Sequence, residues 1–453
     1  MSNENKNYRH PLIETLATIK GNPRIVLYTE PLWIIPFNLY LPFASVYMAA
    51  LLLTDRQIGL IASIFMFFRA VSALFSGAIT DKLGRKLTTF IFDTVSWSIP
   101  CLLWAFSQNF WWFMIAASFN GLMQITDNSW TCLLVEDTEK GSLVKIYSLL
   151  HMIAQLAVFF APLAAILVNE FSVVPAMRIL YFFSFISMTT KFILLYRYGD
   201  ETGIGRTRMQ ETAGMSIWKI MRGYGEIFKR LFSSRDMILA LVITTIFNII
   251  WLVSGNFFGL YVTRTLLIPE HFLAYFPILR AVISVTFLYL LQPKLERLGF
   301  RFPMLIGLFL YAASTFLLIN TPEIALTFES ILTGSTISDV LLNFLSIDSL
   351  SVLSGLLVLA GFILIDSIGY CFVAPRSDSL IQILIEPSER ARIRGLMMVI
   401  VLGFTIPFGY LAGWLSEINR RYPFILIVAF IILIFIIIAA SKKRLEIINK
   451  SVG

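Results

Sequence analysis

Gly77-Ala78-Ile79-Thr80-Asp81-Lys82-Leu83-Gly84-Arg85-Lys86 is a charged turn between two long apolar runs, Gln57 to Thr80 and Leu87 to Ser107. Each run has the roughly 20 residues that a helix needs to cross the hydrocarbon core of a membrane. The stretch therefore reads as a short connection between two spanning helices. Its glycines let backbones approach or turn, its aspartate can cap a helix end or pair with arginine, and its bases hold it on the cytoplasmic side.

The composition extends this reading to the whole chain. Hydrophobic residues make up 57% and charged residues 14%, against roughly 25% charged in a soluble globule. The chain is thus a polytopic membrane protein. Cys101, Cys132 and Cys371 are odd in number and lie in apolar runs, which argues against a disulfide framework or a metal cluster. The net charge of +8 is spread between hydrophobic segments, so no nucleic-acid partner is expected. The sequence has no phosphate-cradling loop, no zinc-protease helix and no nucleophile elbow, so neither enzyme activity nor a cofactor is expected. Met1 to Lys20 is polar and lacks the apolar core of a signal peptide, leaving the first span to direct insertion.

Twelve spans are predicted: 31–52, 57–80, 87–107, 110–135, 145–168 and 174–197 in a first half (31–197), then 237–262, 271–292, 302–320, 353–385, 393–416 and 422–441 in a second (237–441). Residues 1–30 form an N-terminal segment, 198–236 a linker, and 442–453 a tail. With both termini cytoplasmic, 27 of the 36 Lys and Arg residues fall on the cytoplasmic side, as the positive-inside rule requires. Two features leave the bundle. Ser216 to Phe232 spaces Ile217, Met221, Tyr224, Phe228 and Leu231 as a helix does, with bases between them, which suits the cytoplasmic leaflet. Residues 321–352 form an acidic, half-apolar extracytoplasmic insertion, read as a short amphipathic lid or a solvated loop.

An internal repeat relates the halves. Leu134-Val135-Glu136-Asp137-Thr138-Glu139-Lys140 parallels Leu384-Ile385-Glu386-Pro387-Ser388-Glu389-Arg390, and Asp81-Lys82-Leu83-Gly84 is echoed by Glu296-Arg297-Leu298-Gly299. The opening stretch and this repeat together resemble the major facilitator superfamily of secondary transporters. Gly77, Asp81, Lys82, Gly84, Arg85 and Lys86 fill every defining place of its loop between helices 2 and 3. The resemblance implies an all-helical bundle of two pseudo-symmetric six-helix halves, with a solute site between them near the midplane. It also implies an inner charge cluster of Asp81 and Arg85 with Glu136 or Asp137, and a second of Glu296, Arg297 and Glu386, holding a state open to the outside. The drug and proton antiporter branch is matched only in part. Ala117 stands where that branch carries an arginine, and Ala157, Ala161, Pro162 and Ala165 stand in its glycine-rich motif on helix 5.

Ionisable residues within spans are functional candidates because an unpaired one costs roughly 2.5–3.5 kcal/mol at the helix centre. They are Arg69, Asp93, Asp127, His151, Lys191, Arg280, Asp366, Arg376 and Asp378. Asp93 and Lys191 fall at one depth, on helices that the resemblance makes peripheral, and read as a structural pair. Arg69 and Arg280 fall near the midplane, where they suit an anionic solute or carboxylate partners. Asp127 and Arg376 fall at a matching depth on helices 4 and 10, which line the cavity in this family, and are expected to approach each other. His151 and Gln155 share their layer. Trp33, Phe37, Tyr40, Trp130, Phe247 and Trp251 add aromatic surface for an amphiphilic solute.

These readings imply a monomeric secondary transporter of a small organic solute in the cell membrane, surrounded by lipid. Proton-coupled export of amphiphilic compounds comes first. Proton-coupled uptake of a sugar or organic anion is the alternative, and a lipid flippase or a non-transporting sensor a third.

Overall fold

The computed structural model describes residues 19–138, 140–221, 232, 235–295, 301–345, 347, 349–384 and 390–441. They are helical throughout, with no strand among them. Among the described residues, ten helices are long and apolar enough to cross a membrane. In the first half these are α1 (Asn22–Ala50), α2 (Asp55–Leu83), α3 (Arg85–Ala105), α6 (Lys145–Phe171) and α7 (Val173–Tyr198). Between α3 and α6 the expected span 110–135 is divided into α4 (Phe110–Asn120) and α5 (Met123–Val135). The division falls at Gly121, where a Cβ would lie 2.6 Å from the Cβ of Phe68 and 2.8 Å from the carbonyl of Phe65. The glycine lets the broken span press against α2, and Ser72 hydrogen-bonds to its carbonyl at 2.8 Å.

After the linker helix α8 (Gly203–Glu211) come α9 (Arg235–Arg264), α10 (Tyr275–Leu295) and α11 (Arg301–Ile319). The insertion folds into α12 (Thr321–Leu332) and α13 (Thr336–Leu345), joined through Gly334 at φ 76. It is therefore helical rather than a plain loop. Then follow α14 (Leu350–Leu384), α15 (Arg390–Ile418) and α16 (Tyr422–Ala440). Of the expected surface helix over 216–232, Ser216 caps one turn, Ile217–Ile220. Trp218 meets the ring of Phe75 on α2 edge-on, and most of the rest lies outside the described residues.

Helix ends follow their sequence signals. Thr54 and Gln57 form a reciprocal capping box at the start of α2, at 3.2 and 3.0 Å, satisfying two donors that would otherwise face the interface unpaired. α1 starts at Asn22, nine residues before the expected span, with Pro23 in its first turn, where a missing N–H costs nothing. Glu30 thereby enters the spanning helix.

We call the end carrying Asp81 and Arg85 the loop end and the opposite one the far end. At the far end α2 and α15 touch through glycine. A Cβ on Gly59 would sit 2.3 Å from the carbonyl of Gly409 and 2.8 Å from Cα of Gly413. Ser63 donates to Ile406 O at 2.6 Å and accepts from Tyr410 N at 2.8 Å. Arg420 meets Asp55 at 3.1 Å, and Arg56 meets Glu417 at 2.7 Å. Among the described residues, the hydrogen bonds and ion pairs between the two halves belong to this zone, which fastens the halves at the far end.

Candidate solute cavity and charge clusters

The loop itself is built around Arg85. Gly84, at φ 83, ends α2 and starts α3 within one residue, a backbone region open to glycine at no steric cost. This places Arg85 4% exposed between two carboxylates. Its Nη1 lies 3.1 Å from Asp81, and its Nε and Nη2 both lie 3.0 Å from Glu136, a two-pronged contact that fixes the guanidinium plane. Glu201 accepts the backbone N–H of Arg85 and of Lys86, each at 2.9 Å, and so caps α3. Thr202 donates to Glu136, Asp137 accepts from Gly203 N–H at 3.3 Å, and Thr212 reaches Asp81 O at 3.1 Å. The linker is thus tied to the loop. Lys86 lies over the Tyr196 ring, and Lys82 is exposed. Glu201 and Thr202 were not singled out in the sequence, although an acid next to a good N-cap, directly after a span, was an available signal. Glu296, Arg297 and Glu386 lie outside the described residues.

Within the first half, Lys191 pairs with Glu30 at 2.8 Å, the two side chains 4% and 12% exposed. Trp33 and Trp130 lie within cation–π reach of its ammonium, at 5.5 and 5.9 Å. The expected pair of Lys191 with Asp93 is therefore not the contact made. Asp93 accepts from Thr126 at 2.7 Å instead. The lysine chooses Glu30 because α1 starts early enough to bring that carboxylate into the bundle. Arg69 hydrogen-bonds to Gln124 at 3.1 Å and acts electrostatically on Asp127. Arg376 donates to the carbonyl of Phe372 at 3.0 Å, and no ion pair joins it to Asp127 in this arrangement. The side chain of Asp378 is outside the described set. Trp33 packs on Phe37 and edge-on to Trp97, at 5.0 and 4.9 Å, while Tyr40 is 3% exposed. These aromatics build the wall of the half rather than the surface of a cavity.

The second half holds a cavity that contains an ion pair. An open cavity of about 280 Å³ is lined by α9, α10, α11, α14 and α16, with Phe247, Trp251, Tyr311, Phe362 and Tyr370 supplying ring surface. In it Arg280 and Asp366 pair at 2.6 Å. The carboxylate is 8% exposed and the arginine side chain 45%, so one charge is buried in the wall and the other faces the open space. His151 and Gln155 face a different opening, about 470 Å³ between α6 and α10, whose other walls are apolar except for Thr286, among them Leu156, Phe159, Val282 and Val285.

Residues 34–336 match the Major Facilitator Superfamily. The chain belongs to this superfamily. It is a multi-pass membrane transporter, and the superfamily's bundle is what the helices above form. Among solved structures it is similar to nucleoside transporter NupG, with a TM-score of 0.67 at 13% identity over 94% of this chain and 100% of that one. It is also similar to peptide transporter POT in complex with sulfate, with a TM-score of 0.66 at 13% identity over 98% of this chain and 100% of that one. At such identities the likeness is one of fold. Over 92 residues the chain is 33% identical to multidrug resistance protein MdtG of Rahnella sp. (strain Y9602), a stretch covering 19% of this chain and 22% of that relative.

Proposed function

We propose that the chain exports amphiphilic organic compounds from the cytoplasm in exchange for protons, by alternating access, with the loop end and both termini cytoplasmic. The observation that carries this reading is the Arg280–Asp366 pair inside an aromatic cavity. Flat apolar surface favours a solute with rings, and the half-exposed guanidinium offers a polar anchor in a site of low dielectric. The count of bases supports the orientation, and the multidrug resistance relative, although matched over a short stretch, supports export. Halves fastened at the far end by Gly59, Gly409 and Asp55–Arg420 suit a state facing the cytoplasm. Asp81, Arg85 and Glu136, which pair within the first half in this same arrangement, then brace the loop on that half rather than hold the outward-open state, with Glu201 holding the loop in place.

Uptake of an organic anion is the second reading, favoured by the same exposed guanidinium. Flux of a panel of aromatic cations, zwitterions, organic anions and sugars into inside-out proteoliposomes, with and without an imposed pH gradient, separates the two. The exporter reading predicts gradient-driven accumulation of amphiphilic aromatics that collapses with the gradient. Accumulation of anions or sugars alone, in right-side-out vesicles, would reverse the assignment.

A further inference from the structure

The first half contains a group that the solute cavity does not use. Asp93 lies on α3, 7% exposed, and accepts one hydrogen bond, from Thr126, itself 2% exposed. No ion pair reaches it among the described residues, and the cation that acts on it, Lys191, is committed to Glu30. The charged groups acting on it are Lys191 from α7, Glu30 from α1 and Asp127 from α5, and Asp127 in turn feels Arg69 from α2. Counted together, three carboxylates (Glu30, Asp93, Asp127) face two permanent cations (Lys191, Arg69). One negative charge is in excess inside the membrane, where an uncompensated charge costs several kcal/mol. A single proton removes the excess. Among the described residues neither Asp93 nor Asp127 has an ion-paired cation, and Asp93, buried where Asp127 is half-buried, is the one that takes it.

We propose that Asp93 is a proton-binding carboxylate, occupied in the arrangement seen here, and that Lys191 is the movable charge that empties it. The proposal rests on the proton-coupled reading above and names its site. When the Lys191 ammonium leaves Glu30 for Asp93, the Asp93 O–H bond breaks and its electron pair stays on the carboxylate now facing the cation. The proton passes to the carboxylate left without a cation, Glu30, so the cluster stays neutral throughout. Glu30 and Asp93 lie on different helices, so relocating one ammonium carries a proton from α3 to α1. Lys86, Thr89, Asp93 and Tyr196 line one small hollow beside the site, too tight in this arrangement for a water molecule. Trp33 and Trp130, flanking the ammonium, hold it without satisfying its hydrogen bonds, which suits a side chain that changes partners.

The test is infrared difference spectroscopy of the purified full-length protein in detergent, with the carbonyl band of a neutral carboxylic acid followed through a pH titration and identified by its shift in D₂O. The band is expected at neutral pH. It is expected to vanish in Asp93→Asn and to survive in Asp127→Asn and Asp366→Asn. In the double variant Glu30→Gln with Lys191→Met, which leaves no lone partner, the band should persist at neutral pH, since no cation is left to draw the proton off Asp93. A band retained in Asp93→Asn, or no band in the wild type at neutral pH, overturns the proposal. So does its loss on adding sodium at constant pH, which would make the site one for a metal cation. The band belongs to the resting protein and needs no solute, so failure of pH-driven flux counts against the exporter reading and leaves the Asp93 site standing.

Discussion

Both halves bury an acid–base pair, and the two pairs are set differently. Lys191–Glu30 is closed off on both sides, 4% and 12% exposed, with indole rings against the ammonium. Arg280–Asp366 has a buried acid and a base that is 45% exposed to a cavity. A closed pair can only exchange charge within its own network, whereas an open one can meet a molecule arriving from outside. Equivalent chemistry thus serves the protein's internal charge balance in one half and recognition in the other.

The contrast can be broken by substitution. Lys191→Met should cost the most stability, about 3–5 kcal/mol, because it strands a buried carboxylate. Pairing it with Glu30→Gln should restore most of the loss in thermal unfolding, and if the two losses simply add, the pair is not a closed unit. Gly59→Leu comes next, at about 1–3 kcal/mol, since its side chain has only the backbone of Gly409 and Gly413 to enter. It should also open the far end, raising modification of a cysteine placed at Asp55. Glu201→Gln should cost about 1 kcal/mol by weakening the cap on α3, and should free the linker to proteolysis near Thr202.

The smallest effect is expected at Glu323, which meets Arg421 at 2.7 Å on an exposed surface. The hydrogen bond from Arg421 holds its carboxyl below the usual range. A depressed value in the folded state means that the contribution is present above the ordinary carboxylate pKa and fades as pH falls through the folded one. Glu323→Gln should therefore shift the unfolding midpoint by well under about 1 kcal/mol near neutrality, and not at all in high salt.

The bundle and the loop cluster were legible because they rest on local patterns. Apolar runs of spanning length, the spacing of Gly77, Asp81, Gly84 and Arg85, and the repeat of Leu134–Lys140 each lie in one stretch of chain. Partnerships were less legible. Arg280 and Asp366 were both visible as costly charges, but nothing local says that residues so far apart in sequence meet. Glu30 was missed because a charge next to Pro31 ends an apolar run, although α1, once started at Asn22, continues through both residues. The split at Gly121 was hidden for a similar reason. A glycine inside an apolar run signals close packing without saying what approaches it.

The claim that the second half receives the solute is tested most directly by equilibrium binding of a solute identified in the proteoliposome panel to purified wild-type protein and to Arg280→Ala. Loss of the guanidinium is predicted to weaken binding at least about tenfold, about 1.4 kcal/mol, with the circular dichroism of the bundle unchanged. Unaltered binding in Arg280→Ala, together with its loss in Asp127→Ala, would place the solute in the first half and contradict the account.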